Sequence, residues 1–216
     1  MIRIAGRAGR MLAALFFALA ACGALSGLQA QTRVRTETIR PPAAPAPDAR
    51  TAAKVDPKAA DGAMPEIIAD LARLPAPVAA TRERILTAAR TGDLGKLMAV
   101  MKDNGMPVFS LSDHRDPAAF WKANYPDSEG VEALAILISI LEAPFVHVEK
   151  GTPQEVYVWP YFARMPLKAL TPQQRVELFR IVTGADYKEM QDFGAYSFYR
   201  LGIGPDGTWH YFVSGD

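Results

Sequence analysis

The chain has 216 residues, 50% hydrophobic and 22% charged, enough for one domain with a single core and too few for a TIM barrel. Its net charge of +1 conceals an uneven spread: residues 1–60 carry nine Lys/Arg against three Asp/Glu, and residues 61–216 carry fifteen against twenty. The acidic second part offers no electrostatic footprint for nucleic acid, and a single cysteine excludes an intramolecular disulfide framework and any multi-cysteine metal cluster.

The chain opens with Arg3, Arg7 and Arg10, followed by the apolar run Met11–Ala21. A helix of that length rises about 16 Å, half of a bilayer's hydrocarbon thickness, so the run reads as the apolar region of a signal peptide over residues 1–22. Leu19-Ala20-Ala21-Cys22-Gly23 resembles a bacterial lipobox, with the sole cysteine at the position that such proteins acylate. Several acyl chains on Cys22 would anchor the protein in a lipid bilayer. The alternative is a plain secretory cut after Ala30, leaving a soluble periplasmic or secreted protein. Both readings send the chain out of the cytoplasm.

Residues 23–76 are expected to form a disordered, Ala/Pro-rich linker centred on Arg40–Arg50, with a short helix over Glu66–Leu74 before Pro75 and Pro77. The domain is expected over 77–216. Ile85, Leu86 and Ala89 give helical spacing to Val78–Arg90, and Asp93 caps a second helix carrying Leu94, Leu97, Met98 and Met101 up to Asn104-Gly105. Leu86–Leu97 resembles one helical pair of an ankyrin-type repeat, with no second copy, which predicts a lone helical hairpin packed on something else. Asp116-Pro117 starts a short helix, and Val131–Glu142 is apolar enough to be the most buried one.

Phe145–Lys150 and Glu155–Trp159 read as a hairpin about Gly151–Gln154. Thr171-Pro-Gln-Gln174 is a capped helix start, expected to run to about Thr183 with Val176, Phe179, Ile181 and Val182 buried to varying degrees. Asp186 and Glu189 form a second capping pair, for a helix ending at Gly194. Tyr196–Ile203 and Trp209–Val213 flank Gly204–Thr208, whose Pro-Asp-Gly suits a type I turn with Gly207 as a left-handed bulge. That register places Ile203, Leu201 and Tyr199 opposite Trp209, Tyr211 and Val213 on one face, and leaves Phe198, Arg200, His210 and Phe212 on the other. The fold class is therefore α+β, a helical first half packed on a small antiparallel sheet built from C-terminal hairpins.

Four constellations bear on chemistry. Gly202-Ile-Gly-Pro-Asp-Gly207 has the letters of a dinucleotide fingerprint but precedes a strand rather than a helix, so no nucleotide is expected. Asp113, His114 and Asp116 lie in a polar loop, and His114 with either aspartate could serve a periplasmic hydrolase. His114, His147 and His210 lack metal-ligand spacing, and no cofactor or metal is expected. The sheet face around Phe198, Arg200, His210 and Phe212, or a groove beside Trp159, could receive a glycan, a peptide or an envelope protein.

The tail Tyr196–Asp216, with Tyr157-Val-Trp-Pro-Tyr161, resembles a family of exported bacterial proteins without an assigned activity. The resemblance implies an envelope location over about residues 80–216 and carries no catalytic residues. The expectation is an exported, tethered binding or structural module, with the hydrolase as its alternative.

Overall fold

The computed structural model describes residues 64–215. The expected signal peptide, its Cys22 and the expected linker as far as residue 63 lie outside the described residues. Among the described residues, no helix is long and apolar enough to cross a membrane.

The fold is α+β, with a five-stranded antiparallel sheet in the order β1 (Ile67–Ile68), β2 (Phe145–Val148), β3 (Val156–Trp159), β4 (Arg200–Ile203) and β5 (Trp209–Val213). Helices α1 (Ala76–Ala89), α2 (Leu94–Asp103), α3 (Pro117–Asn124) and α4 (Val131–Leu141) precede β2. Helices α5 (Pro172–Leu178) and α6 (Gly184–Phe193) lie between β3 and β4.

The two sheet faces are covered by different parts of the chain. Phe145, Tyr157, Trp159, Leu201, Ile203, Trp209 and Phe212 pack with the buried sides of α1 to α4. Val146, Val156 and Val158 pack with Tyr161, Phe162, Leu178, Val182 and Met190. The alternation of strand side chains feeds both cores. The expected layer of helices on one side is thus joined by a second layer from the β3–β4 connection.

The helix starts follow local chemistry. Asp93 Oδ1 accepts the Gly95 N–H, and Asp116 Oδ1 accepts the N–H groups of Ala118 and Ala119. Thr171 and Gln174 form the reciprocal box expected of them. α4 buries Ala133, Leu134, Leu137, Ile140 and Leu141, and its last carbonyl is held from α1: Arg82 Nε and Nη2 both donate to Leu141 C=O, at 3.1 and 2.7 Å.

Four expectations are corrected. The linker does not extend to residue 76: Ile67 and Ile68 pair with Val146 and Phe145, so the fold begins about ten residues earlier. Glu66–Leu74 gives this strand and a single 3-10 turn, Leu71–Arg73, rather than a helix. α5 stops at Leu178, leaving Val176 67% and Phe179 48% exposed, and Thr183 then caps α6 in a box with Asp186, so Asp186 pairs backwards rather than with Glu189. The fourth correction is the register of β5. The turn forms as expected, with Gly204 N–H bonded to Thr208 C=O and Gly207 at φ +89°, and Ile203 faces Trp209. A second irregularity follows: Gly202 faces Tyr211, Leu201 faces Phe212 and Arg200 faces Val213, leaving His210 unpaired. The extra residue sends Phe212 into the helix-side core and Tyr211 to the other face.

Candidate binding surface

The β5 bulge dismantles the aromatic surface expected from the sequence. Phe212 is fully buried against Trp121 and Tyr199, and Trp159 is fully buried beside Phe145. Phe198 and Arg200 are half-buried; Arg200 Nη1 donates to Gly215 C=O at 2.7 Å. His210 is exposed at the turn, apart from them. Phe198, Arg200, His210 and Phe212 do not share one face, and Trp159 is too buried to line a groove.

The Asp113–Asp116 loop is also dispersed. His114 is exposed, its ring 4.8 Å from that of Phe120, and its side chain makes no hydrogen bond among the described residues. Asp116 spends its carboxylate on the α3 N-terminus. A base oriented by a neighbouring carboxylate, the minimum for hydrolytic chemistry here, is not assembled from His114, Asp113 and Asp116. Among the described residues, no group of three His, Cys, Asp or Glu side chains could hold a metal ion.

The structure brings together a different histidine pair. His147 Nε2 donates to Glu155 Oε1 at 2.7 Å, and Glu155 Oε2 accepts the Gly151 N–H at 2.9 Å. The His147 ring stacks on Tyr157, with centroids 4.1 Å apart. The Gly151 amide, with help from His147, holds the Glu155 carboxyl below the usual glutamate range. This arrangement closes the β2–β3 hairpin. The residues were visible in the sequence, but their meeting depends on the register Val148↔Val156.

Two concave surfaces lie on the outer side of the α1–α2 hairpin. A shallow groove of about 670 Å³ runs between the helices, floored by Ala80, Ala88, Ala99 and Val100 and rimmed by Glu83, Arg84 and Lys96. A polar notch of about 430 Å³ adjoins it at the β4–β5 turn, bordered by Asp103, Asn104, Asp206 and Thr208. Arg84 lines both, and its Nη2 donates to Asp103 Oδ2 at 3.2 Å.

The notch is rigid because the turn is fastened to the helices. Thr81 Oγ1 donates to Gly207 C=O at 2.8 Å, and Asn104 Nδ2 to the same carbonyl at 3.2 Å. Asn104 Oδ1 accepts the Trp209 N–H at 2.6 Å. Residue 207 must be glycine twice over: its φ is positive, and a Cβ would sit 2.9 Å from the Pro77 carbonyl. Asp206 accepts from the Thr208 N–H and hydroxyl, which hold its carboxyl below the usual range and keep it ionised. The notch therefore sets the Arg84–Asp103 ion pair beside the Asp206 carboxylate at one end of a mostly apolar groove.

The chain matches no family model, no curated protein and no solved structure.

Proposed function

We propose that this protein is an exported, envelope-tethered binding module that engages polypeptide. The observation that carries the reading is the order of the chain: a basic start, an apolar run too short to span, and the sole cysteine after Leu19-Ala-Ala, all ahead of a fold that begins at Ile67. Acylated at Cys22, the chain would leave residues 23–66 between anchor and domain. Fully extended, that length reaches no more than about 150 Å, so the domain would work close to its membrane.

Polypeptide is favoured over glycan by the aromatic side chains. All three tryptophans, Trp121, Trp159 and Trp209, the side chains that offer the largest stacking face to a sugar ring, are buried. The groove and notch instead offer small side chains beside Arg84, Asp103 and Asp206. Labelled fatty acid fed to a bacterial host expressing the full chain and its Cys22→Ser variant tests the tether. Wild type is expected to take up the label and the variant not; a wild type without label, or equal label in both, would refute it.

A further inference from the structure

The second layer of the fold leaves two large apolar side chains in the open. Val176 and Phe179 are exposed, whereas Leu178 and Val182 of the same stretch are buried against the sheet. The helical path continues past the end of α5: Phe179 N–H bonds to Arg175 C=O at 3.0 Å, and Arg180 N–H to Glu177 C=O at 3.1 Å. At about 100° per residue, Phe179 and Val176 lie about 60° apart, with Arg175 and Arg180 about 40° outside them on either side. Both arginines are exposed, and among the described residues neither makes an ion pair. Arg73, Arg84 and Arg90, by contrast, are matched by Glu66, Asp103 and Glu142. The Phe179 ring is steadied edge-on by Tyr187 of α6, centroids 5.1 Å apart. The carboxylates of α6 do not neutralise the strip: Asp186 is held in the Thr183 cap, Asp192 by Lys188, and Glu189 stands about 160° round the helix from Tyr187.

Charge says what this strip faces. Residues 165–183 carry three exposed cations, Lys168, Arg175 and Arg180, against Glu177 alone, while the rest of residues 61–216 carries twelve Lys/Arg against nineteen Asp/Glu. Glu177 itself is half-buried and accepts from the Tyr161 hydroxyl at 2.9 Å. We propose that this strip, apolar in the middle and cationic at both margins, docks the domain on a bilayer surface bearing anionic phospholipid. Guanidiniums meet the phosphates, and Phe179 and Val176 enter the boundary between headgroups and acyl chains. The strip is the convex outer side of a helix, which suits a deformable apolar layer better than a ligand that needs a pocket. Two apolar side chains and three cations bind weakly alone, so the inference rests on the proposed tether to keep a membrane within reach. It adds an orientation. α5 and the α1–α4 layer cover opposite faces of the sheet, so docking through α5 turns the α1–α2 groove away from the membrane.

The test mixes the purified protein, as its host processes it, with vesicles of equal parts phosphatidylglycerol and phosphatidylcholine. A small share of the lipid carries a photoactivatable acyl chain, and mass spectrometry locates the adducts. They are expected on residues 176–180, and at least about fivefold fewer with phosphatidylcholine alone or in the Arg175→Glu/Arg180→Glu variant. Arg175→Lys/Arg180→Lys should keep them. A strip left unlabelled, whether bare, paired with a second copy or covered by a polypeptide, overturns the inference. So do adducts spread evenly over the exposed surface, or equal yields from the two lipid mixtures. Adducts on the strip of a chain without an acyl group at Cys22 support docking while removing the tether; adducts confined to residues 22–63 refute docking and spare the tether. Circular dichroism melting checks that the variants fold, and should the reversed one unfold, the two lipid mixtures on wild type decide the matter alone.

Discussion

Asn104 is the residue on which the β4–β5 turn most visibly depends. Replacing it with alanine removes the acceptor of the Trp209 N–H and one of two side-chain donors to Gly207 C=O. The amide of Trp209 would be left without its partner at a half-buried site, a loss of about 1–3 kcal/mol. Gly207 C=O keeps the Thr81 hydroxyl, so the second loss stays below about 1 kcal/mol. The expected total is about 1–4 kcal/mol, with a fall in Tm of roughly 2–4 °C for each kcal/mol in a domain of this size. Asn104→Asp keeps the acceptor but turns a carboxylate oxygen toward Gly207 C=O, and should fall between wild type and alanine. Urea and thermal unfolding monitored by tryptophan fluorescence measure both. An alanine variant within about 0.5 kcal/mol of wild type would refute the claim that this side chain fastens the turn.

Three further outcomes follow from the packing. Gly202→Ala should cost about 1–3 kcal/mol, because a Cβ there would lie 2.5 Å from Tyr211 Cε1 and 2.7 Å from its hydroxyl; a double-mutant cycle with Tyr211→Ala should recover much of the loss, and additive effects would deny the contact. Arg82→Ala should cost about 2–4 kcal/mol in urea unfolding, since it removes the stem packed in the core and strands Leu141 C=O, whereas an effect within the surface range would contradict the helix-end role. The Glu155 carboxyl is depressed in the folded state, so its contribution is complete above the unfolded glutamate range and is lost as pH falls through the lower folded value. Denaturation of wild type and Glu155→Gln as a function of pH should therefore converge on the acid side, and a gap that widens with acidity would reverse the assignment.

Much of the fold was legible because its signals are local. Thr171 and Gln174 satisfy each other within one turn, Asp93 and Asp116 cap helices that start beside them, and Pro205-Asp-Gly207 sets its own turn geometry. What escaped depends on distant partners. The bulge at His210 exists where Asn104 takes the Trp209 N–H and Val108 takes the His210 carbonyl, contacts made about a hundred residues away in sequence. Because strand side chains alternate, that one extra residue removed Phe212 from the expected surface and hid it in the core. β1 was missed because two residues, Ile67-Ile68, give no period to read. α5 was drawn too long because Val176 and Phe179 look apolar in sequence, yet the cover of the second sheet face is completed by Leu178 and Val182 without them. The groove was out of reach of the sequence, being made by the gap between two helices rather than by any motif.

The amino-terminus of the mature protein tests the central claim most directly. Mass spectrometry of the protein recovered from a bacterial envelope should find a chain starting at Cys22 and heavier than its sequence by its acyl groups. A chain starting at Gln31, or one still carrying Met11–Ala21, would contradict the account.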